Sequence, residues 1–230
     1  MPVRELACLQ LKNNQPLTSP TNAAVLTKLR AGLKEQARYT NAAAHVLTQI
    51  EDPSIFYILG KWESVSQHVE EWIPSETNRA IMGGLAGDVE LVWLQHLELN
   101  ASAIATKSNE RRDGEAEEDE ILLAADVVAI GRYFILPEKK EAFERTFDET
   151  KHHLEAFNGG KGTWGAWRED RDVCAGGGVQ EEFVLFSGWT DVNEHHRFAE
   201  SEGFKQFVRI KEFLTGAEIK HARLLVSEHP

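Results

Sequence analysis

Phe183-Val184-Leu185-Phe186-Ser187-Gly188-Trp189-Thr190-Asp191-Val192-Asn193-Glu194-His195-His196 has an earlier counterpart, Phe56-Tyr57-Ile58-Leu59-Gly60-Lys61-Trp62-Glu63-Ser64-Val65-Ser66-Gln67-His68-Val69. In each, an apolar run ends in Trp62 or Trp189. Two residues later stands a helix N-cap, Ser64 or Asp191, with Gln67 or Glu194 three positions on. That is a capping box: the cap oxygen accepts from a free backbone N–H while the later side chain reaches back to the cap residue's own N–H. A chain of 230 residues could form one large domain or two of half that size; the repeat decides for two.

Working outward, both halves predict the order βαββαβ. In the first, strands are expected at residues 3–11, 43–50, 55–62 and 88–99. Asn22 is expected to cap a helix carrying Val25, Leu26, Leu29 and Leu33 on one side. In the second, strands are expected at 127–135, 162–169, 183–189 and 219–226. Pro137 opens a helix with Phe143, Phe147, Thr150 and Leu154 on one face, and a further helical piece is expected from Phe204 to Leu214. Between the halves, Glu110 to Glu120 has too little apolar content to fold by itself. The expected organisation is therefore a first ferredoxin-like repeat at 1–100, an acidic linker at 101–125 and a second repeat at 126–230. The third strand of each repeat is apolar on both faces, so its sheet must be covered twice. Helices cover one face, and the sheet of the other repeat is the expected cover for the other.

Composition narrows the function classes. The net charge is −12 with Lys and Arg scattered, which removes the electrostatic footprint of a nucleic-acid or anionic-membrane binder. No run approaches the ~20 apolar residues of a membrane span, and the start of the chain lacks the pattern of a secretion signal, so a cytoplasmic protein is expected. Cys8 and Cys174 have no metal-type spacing and read as free thiols.

The strand ending in Trp189, the cap Asp191 and the later Ser201-Glu202-Gly203-Phe204 resemble the dimeric α+β barrel superfamily, and within it the antibiotic-biosynthesis-monooxygenase-like domains. The resemblance implies an α+β chain in which two tandem repeats form the usual dimer within one polypeptide. It also implies ligands bound between sheet and helices, with the equivalent Trp contributing to the pocket in some relatives. The family often has His nine residues after the Trp; here Glu71 and Phe198 stand there.

Candidate residues follow from the faces. Val192, His196 and Ala199 are expected to share the inner stripe of the second capped helix, matching Val65, Val69 and Trp72 in the first, which makes His196 a polar residue in an apolar stripe. A neutral imidazole there could act as general base. His195 and Tyr133 are the further catalytic candidates, and the second repeat is the expected working half. Trp189, Trp164, Trp167, Phe198 and Arg132, with Trp62, His68, Trp72 and Tyr57 in the first repeat, are candidates for lining a pocket for a flat apolar ligand. His45, His96 and His221 lie on strands and could also line a cavity. Trp164 and Trp167, three apart on one strand, must face opposite sides of the sheet.

No phosphate-binding glycine motif or metal spacing occurs, since His152-His153 and His195-His196 are adjacent pairs rather than i, i+4 pairs. Some relatives bind haem through a helix His; no single His is placed for that here, so no cofactor is expected. The expected partner is a small hydrophobic or aromatic molecule, with the chain a monomeric pseudo-dimer whose further self-association is left open. The leading expectation is cofactor-independent, monooxygenase-like chemistry on an aromatic or polyketide-like substrate, begun by proton abstraction. A polyketide cyclase, isomerase or decarboxylase begins with the same anion, and a non-catalytic ligand-binding or stress-related protein is the rival from another class.

Overall fold

The computed structural model describes residues 1–99, 118–170 and 180–230, which form two compact units. The expected linker up to residue 117, the thiol of Cys174 and the glycine run 176–178 lie outside the described residues.

The first unit comprises residues 1–100 with 222–230. Its elements are β1 (Val3–Leu11), α1 (Ala23–Thr40), β2 (Ala44–Gln49), β3 (Ile55–Trp62), a π-helical turn (Gln67–Trp72), α2 (Glu76–Leu85) and β4 (Val89–Glu98). The hydrogen-bonded order is β4-β1-β3-β2. Val3 lies opposite Trp62 and Glu5 opposite Gly60; His96 on β4 also lies opposite Glu5. Alternation along the strands then places Ala7, Leu9 and Phe56 in one apolar core with Val25, Leu29 and Leu33 of α1.

The second unit runs from 101 to 221. It contains α3 (Glu118–Leu123), β5 (Val127–Ile135), α4 (Lys140–Phe157), β6 (Thr163–Trp167), β7 (Glu181–Trp189), α5 (Val192–Phe198) and α6 (Glu202–Phe207), then a 3-10 turn (Val208–Phe213) and β8 (Leu214–Glu228). The strand order β8-β5-β7-β6 and the pairing of Val127 with Trp189 reproduce the first unit's pattern. The last residues of β8, from Ala222 on, pair with β2 in the first unit.

Several local expectations change. Asn22 makes no cap hydrogen bond; it is buried, and its amide donates to the carbonyls of Gln15 and Pro16, tying down the loop before α1. Ser64 and Asp191 do accept from the N–H groups of Gln67 and Glu194. The Gln67 and Glu194 side chains, however, reach Glu63 and Thr190, one residue before the cap. Residues 118–123, placed in the acidic linker by composition, form α3, because Leu122 and Leu123 are buried. Gly162 lets that helix approach: at φ +90° it sits where a Cβ would meet the Leu122 backbone.

At Gly188 the space for a side chain is taken by the Lys161 carbonyl and the Ala125 methyl. Gly188→Ala should lower stability by about 2 kcal/mol or more in a thermal or urea unfolding measurement. Gly84→Ala, in a helix with open space around it, should raise stability by up to about 1 kcal/mol.

Candidate functional site

Glu5 points from the middle of β1 to the helix-covered face and is 5% exposed. One of its oxygens, Oε2, accepts from the Trp62 indole N–H at 2.9 Å and from the Gln36 side-chain amide at 2.9 Å. The other, Oε1, faces His68 Nε2 at 3.8 Å, a charge contact when His68 is protonated. His68 Nδ1 in turn lies 2.7 Å from His96 Nε2. Its ring stacks on Trp62, with centroids 4.1 Å apart and planes at 13°. Four residues from four elements thus gather around one carboxyl group.

Each position has a local cause. Gly60 leaves room for this contact, since a Cβ there would collide with Gln36 Nε2 and crowd Glu5 Oε2. The π turn, with the Ile73 N–H donating to the His68 carbonyl, holds both His68 and Trp72 inward. A register shift between Cys8 and Leu9 puts Leu91, rather than Val92, opposite Leu9 on the helix-covered face.

Beside the carboxyl lies a cavity of about 180 Å³, lined by Glu5, His68 and Gln36 at its polar end and by Leu33, Ile58 and Leu94 among its apolar walls. Burial raises the Glu5 pKa above the ordinary carboxylate value, against the lowering effect of the Trp62 hydrogen bond, the His96 charge and the Gln36 hydrogen bond. A carboxyl group with one oxygen held by two N–H donors and the other beside a histidine pair is suited to proton transfer. Two proton arrangements satisfy the chain from Glu5 through His68 to His96, and they differ by which imidazole donates to the other.

The second unit builds the same platform without the acid. Trp189 stacks on His195 at 4.5 Å and 19°, and His195 Nδ1 lies 2.8 Å from His221 Nε2. Matching through the two Trp registers, Ala129 stands where Glu5 does and Ser187 where Gly60 does. The Trp189 indole N–H donates to Ser187 Oγ at 2.9 Å. Aromatic rings of Phe143, Phe147, Phe183 and Trp167 pack on one another on the same helix-covered face.

The expected site residues separate accordingly. His196 is exposed rather than part of a core stripe, with its ring 5.9 Å from that of His221. The end of α5 tightens into i→i−3 hydrogen bonds, Ala199 to His196 and Ser201 to Phe198, so the inner face is Val192, His195 and Phe198. In the first unit, too, the position before the expected one turns inward: Val69 is 43% exposed while His68 is buried. Tyr133 lies over Gly131, and burial pushes its hydroxyl up to about 12, which keeps it protonated. Trp167 faces the helices and donates to Glu144; Trp164 packs on Phe186 on the opposite face. Arg132 pairs with Glu182 and Glu218, and Tyr57 accepts from Gln49, both also on the face away from the helices. His45 bonds Ser227. The structure brings Trp62, His68 and Trp72 together with His96 in the first unit, and Trp189, His195, Phe198 and His221 in the second. Sequence reasoning missed Glu5 and Gln36. The available signal was a charged pair, Arg4-Glu5, inside an apolar strand, and Gln36 on the buried stripe of α1.

No family model matches the chain, and no curated protein matches it. Solved structures do. A protein named "Putative monooxygenase" from Fusobacterium nucleatum has a TM-score of 0.58 at 10% identity, over 99% of this chain and 94% of that one. An anthrone oxidase-like protein gives 0.51 at 10%, over 98% and 92%. A chlorite dismutase variant from Candidatus Nitrospira defluvii gives 0.55 at 12%, over 96% and 91%. At these identities the likeness shows the fold, that of the dimeric α+β barrels. The haem that some barrels of this kind carry does not fit the cavity beside Glu5. A cavity of about 180 Å³ is close to the roughly 150 Å³ that holds one benzene ring, and both His68 ring nitrogens already face protein groups. No described helix is long and apolar enough to cross a membrane.

Burial and the neighbouring charges of His221 and His196 lower the His195 pKa from 6.5 to about 4. The folded state therefore binds fewer protons than the unfolded chain between these values, so the stability this neutral imidazole contributes is present above 6.5 and lost as pH falls towards 4. Thermal unfolding across that range should show the loss, and His195→Gln should make the profile shallower.

Proposed function

We propose that the first unit holds the working pocket of an oxygenase-like enzyme that acts without a cofactor on a small aromatic or enolisable molecule. The observation that carries this reading is the buried Glu5 carboxyl, fixed on one oxygen and raised in pKa, in the wall of an apolar cavity beside His68 and His96. Burial makes the carboxylate a stronger base than one in water. In the proposed step Glu5 Oε1 takes a proton from an acidified carbon or phenol of the substrate, and His68 and His96 disperse or relay the charge that develops. Stacking on Trp62 fixes the His68 ring.

The resulting anion is electron-rich enough to reduce O₂ itself. For an activated methylene, CH₂ + O₂ → C=O + H₂O balances: the carbon supplies four electrons, one oxygen atom stays on it and the other leaves as water. The fold shared with a "Putative monooxygenase" and an anthrone oxidase-like protein agrees with this class of reaction. We read the chain as two fused βαββαβ copies, supported by the common element order and the matched Trp-His-His sets. In the second copy, Ala129 and Ser187 replace the acid and its glycine, so the chemistry is assigned to the first.

Glu5→Gln should lower turnover by about 10²–10⁴-fold in an O₂-uptake assay with an active substrate. Wild-type activity should rise with pH through a midpoint above the ordinary carboxylate range, as Glu5 loses its proton. A raised folded pKa makes stability fall as pH rises through it; Gln carries no such charge, so the variant should unfold at or above the wild-type temperature at pH 8. Full activity in Glu5→Gln would refute the assignment.

A further inference from the structure

The cavity is polar at one end and apolar at the other. Glu5, Gln36 and His68 are buried at its inner end, whereas Ile73, Met82 and Leu91 line it and are also 38%, 42% and 54% exposed. Leu94 and Ile81 stand half-buried among the remaining walls. These three exposed residues come from the end of the π turn, α2 and the bulged segment of β4, so the mouth is an apolar rim assembled from separate elements. An exposed Leu is ordinary by itself. Here three large apolar side chains both line a cavity and meet solvent, and the one polar side chain of the lining besides the inner group, Asn78, turns its amide to the Ile73 carbonyl.

We propose that the substrate is an amphiphile that enters polar end first: a single-ring phenol or enol whose acidic group meets Glu5, with an alkyl tail opposite it that lies on Ile73, Met82 and Leu91. This rests on the assignment of Glu5 as the base in the first unit. The volume sets the ring count, since about 180 Å³ is close to the roughly 150 Å³ that holds one benzene ring and leaves no room for a three-ring system inside. The polarity sets the direction, because a tail placed inward would strand the buried carboxyl among methylenes, while the phenol end would lie on an apolar rim. The rim sets the tail's chemistry: it presents no charged side chain, so methylenes gain by covering it and an anionic tail does not. The remote tail supplies binding energy that holds the reacting group in register with Glu5.

Calorimetric titration of the intact chain with phenol and with 4-methyl- to 4-octylphenol tests this. Affinity should rise about two- to fourfold per methylene and level off once the rim is covered. In Leu91→Lys the gain per methylene should fall, because a charge then interrupts the apolar surface. If phenol itself and every homologue fail to bind, the assignment of the pocket falls with this one. Binding of phenol with no gain along the series refutes the tail alone and leaves the base assignment standing. Three-ring phenols that bind as tightly as 4-hexylphenol would refute the one-ring class. A concentration-dependent mass that Leu91→Lys abolishes would make the rim a contact between copies and overturn the proposal.

Discussion

A buried indole N–H must donate somewhere, and in this chain its choice of acceptor separates two otherwise matching sites. Leaving such a donor unpaired costs about 1–3 kcal/mol, so the end of β3 and the end of β7 each need an acceptor within reach of their Trp. In the second unit Ser187 supplies it from the same strand, two residues away, and Trp189 becomes a closed structural element. In the first unit Gly60 has no side chain, and the acceptor is Glu5 from the neighbouring strand. That substitution of partners brings a carboxyl group into a dry wall. Gln36 adds a second N–H to the same oxygen, leaving Oε1 as the oxygen that faces His68.

The rest of the first unit can be understood as what tolerates this carboxyl. Burying an ionisable group without partners is costly, and here burial is only partly offset, which is why its proton affinity is raised. The π turn has a related effect. An i→i+5 bond inserts a residue into the helical turn and turns both His68 and Trp72 inward, one onto the Trp62 ring and the other beside it. The second unit, with Ala129 at the matching position, uses a short α5 and packs phenylalanines against one another on its helix-covered face. Close aromatic packing of that kind gives stability.

Much of the architecture was legible because it rests on short-range rules. The duplicate Trp, the caps at Ser64 and Asp191 and the two-sided apolar strands are visible within about fourteen residues, and they give the element order of each half. The site was less legible because it is made by register. Nothing near Glu5 in sequence says that it faces Gly60 across one strand pair and His96 across another; that follows from the alignment of Val3 with Trp62, set by the whole sheet. The inward stripe of each capped helix was misread by one position for a simpler reason. A 3.6-residue period allows steps of three or four and so admits His196 or His195, and Val69 or His68; the structure, with its tightened turn in one unit and π turn in the other, takes His195 and His68. Composition also misled at residues 118–123, where two leucines among acids are enough for a helix once Gly162 lets them pack.

On the proposed reading of the chain as two fused copies, duplication accounts for both arrangements standing in one chain. A group that must be buried and chargeable is poor for stability, whereas the same platform closed by a serine and aromatic rings is good for it. With two copies, these demands need not be met at the same place. The Trp-His-His set of the second unit holds a neutral histidine at a lowered pKa and packs around it. The first unit keeps a cavity and a carboxyl whose proton affinity is raised. Opposite pKa shifts on matching frameworks, one on a base and one on an acid, both follow from loss of water. The residue facing the indole decides which of the two groups is held there.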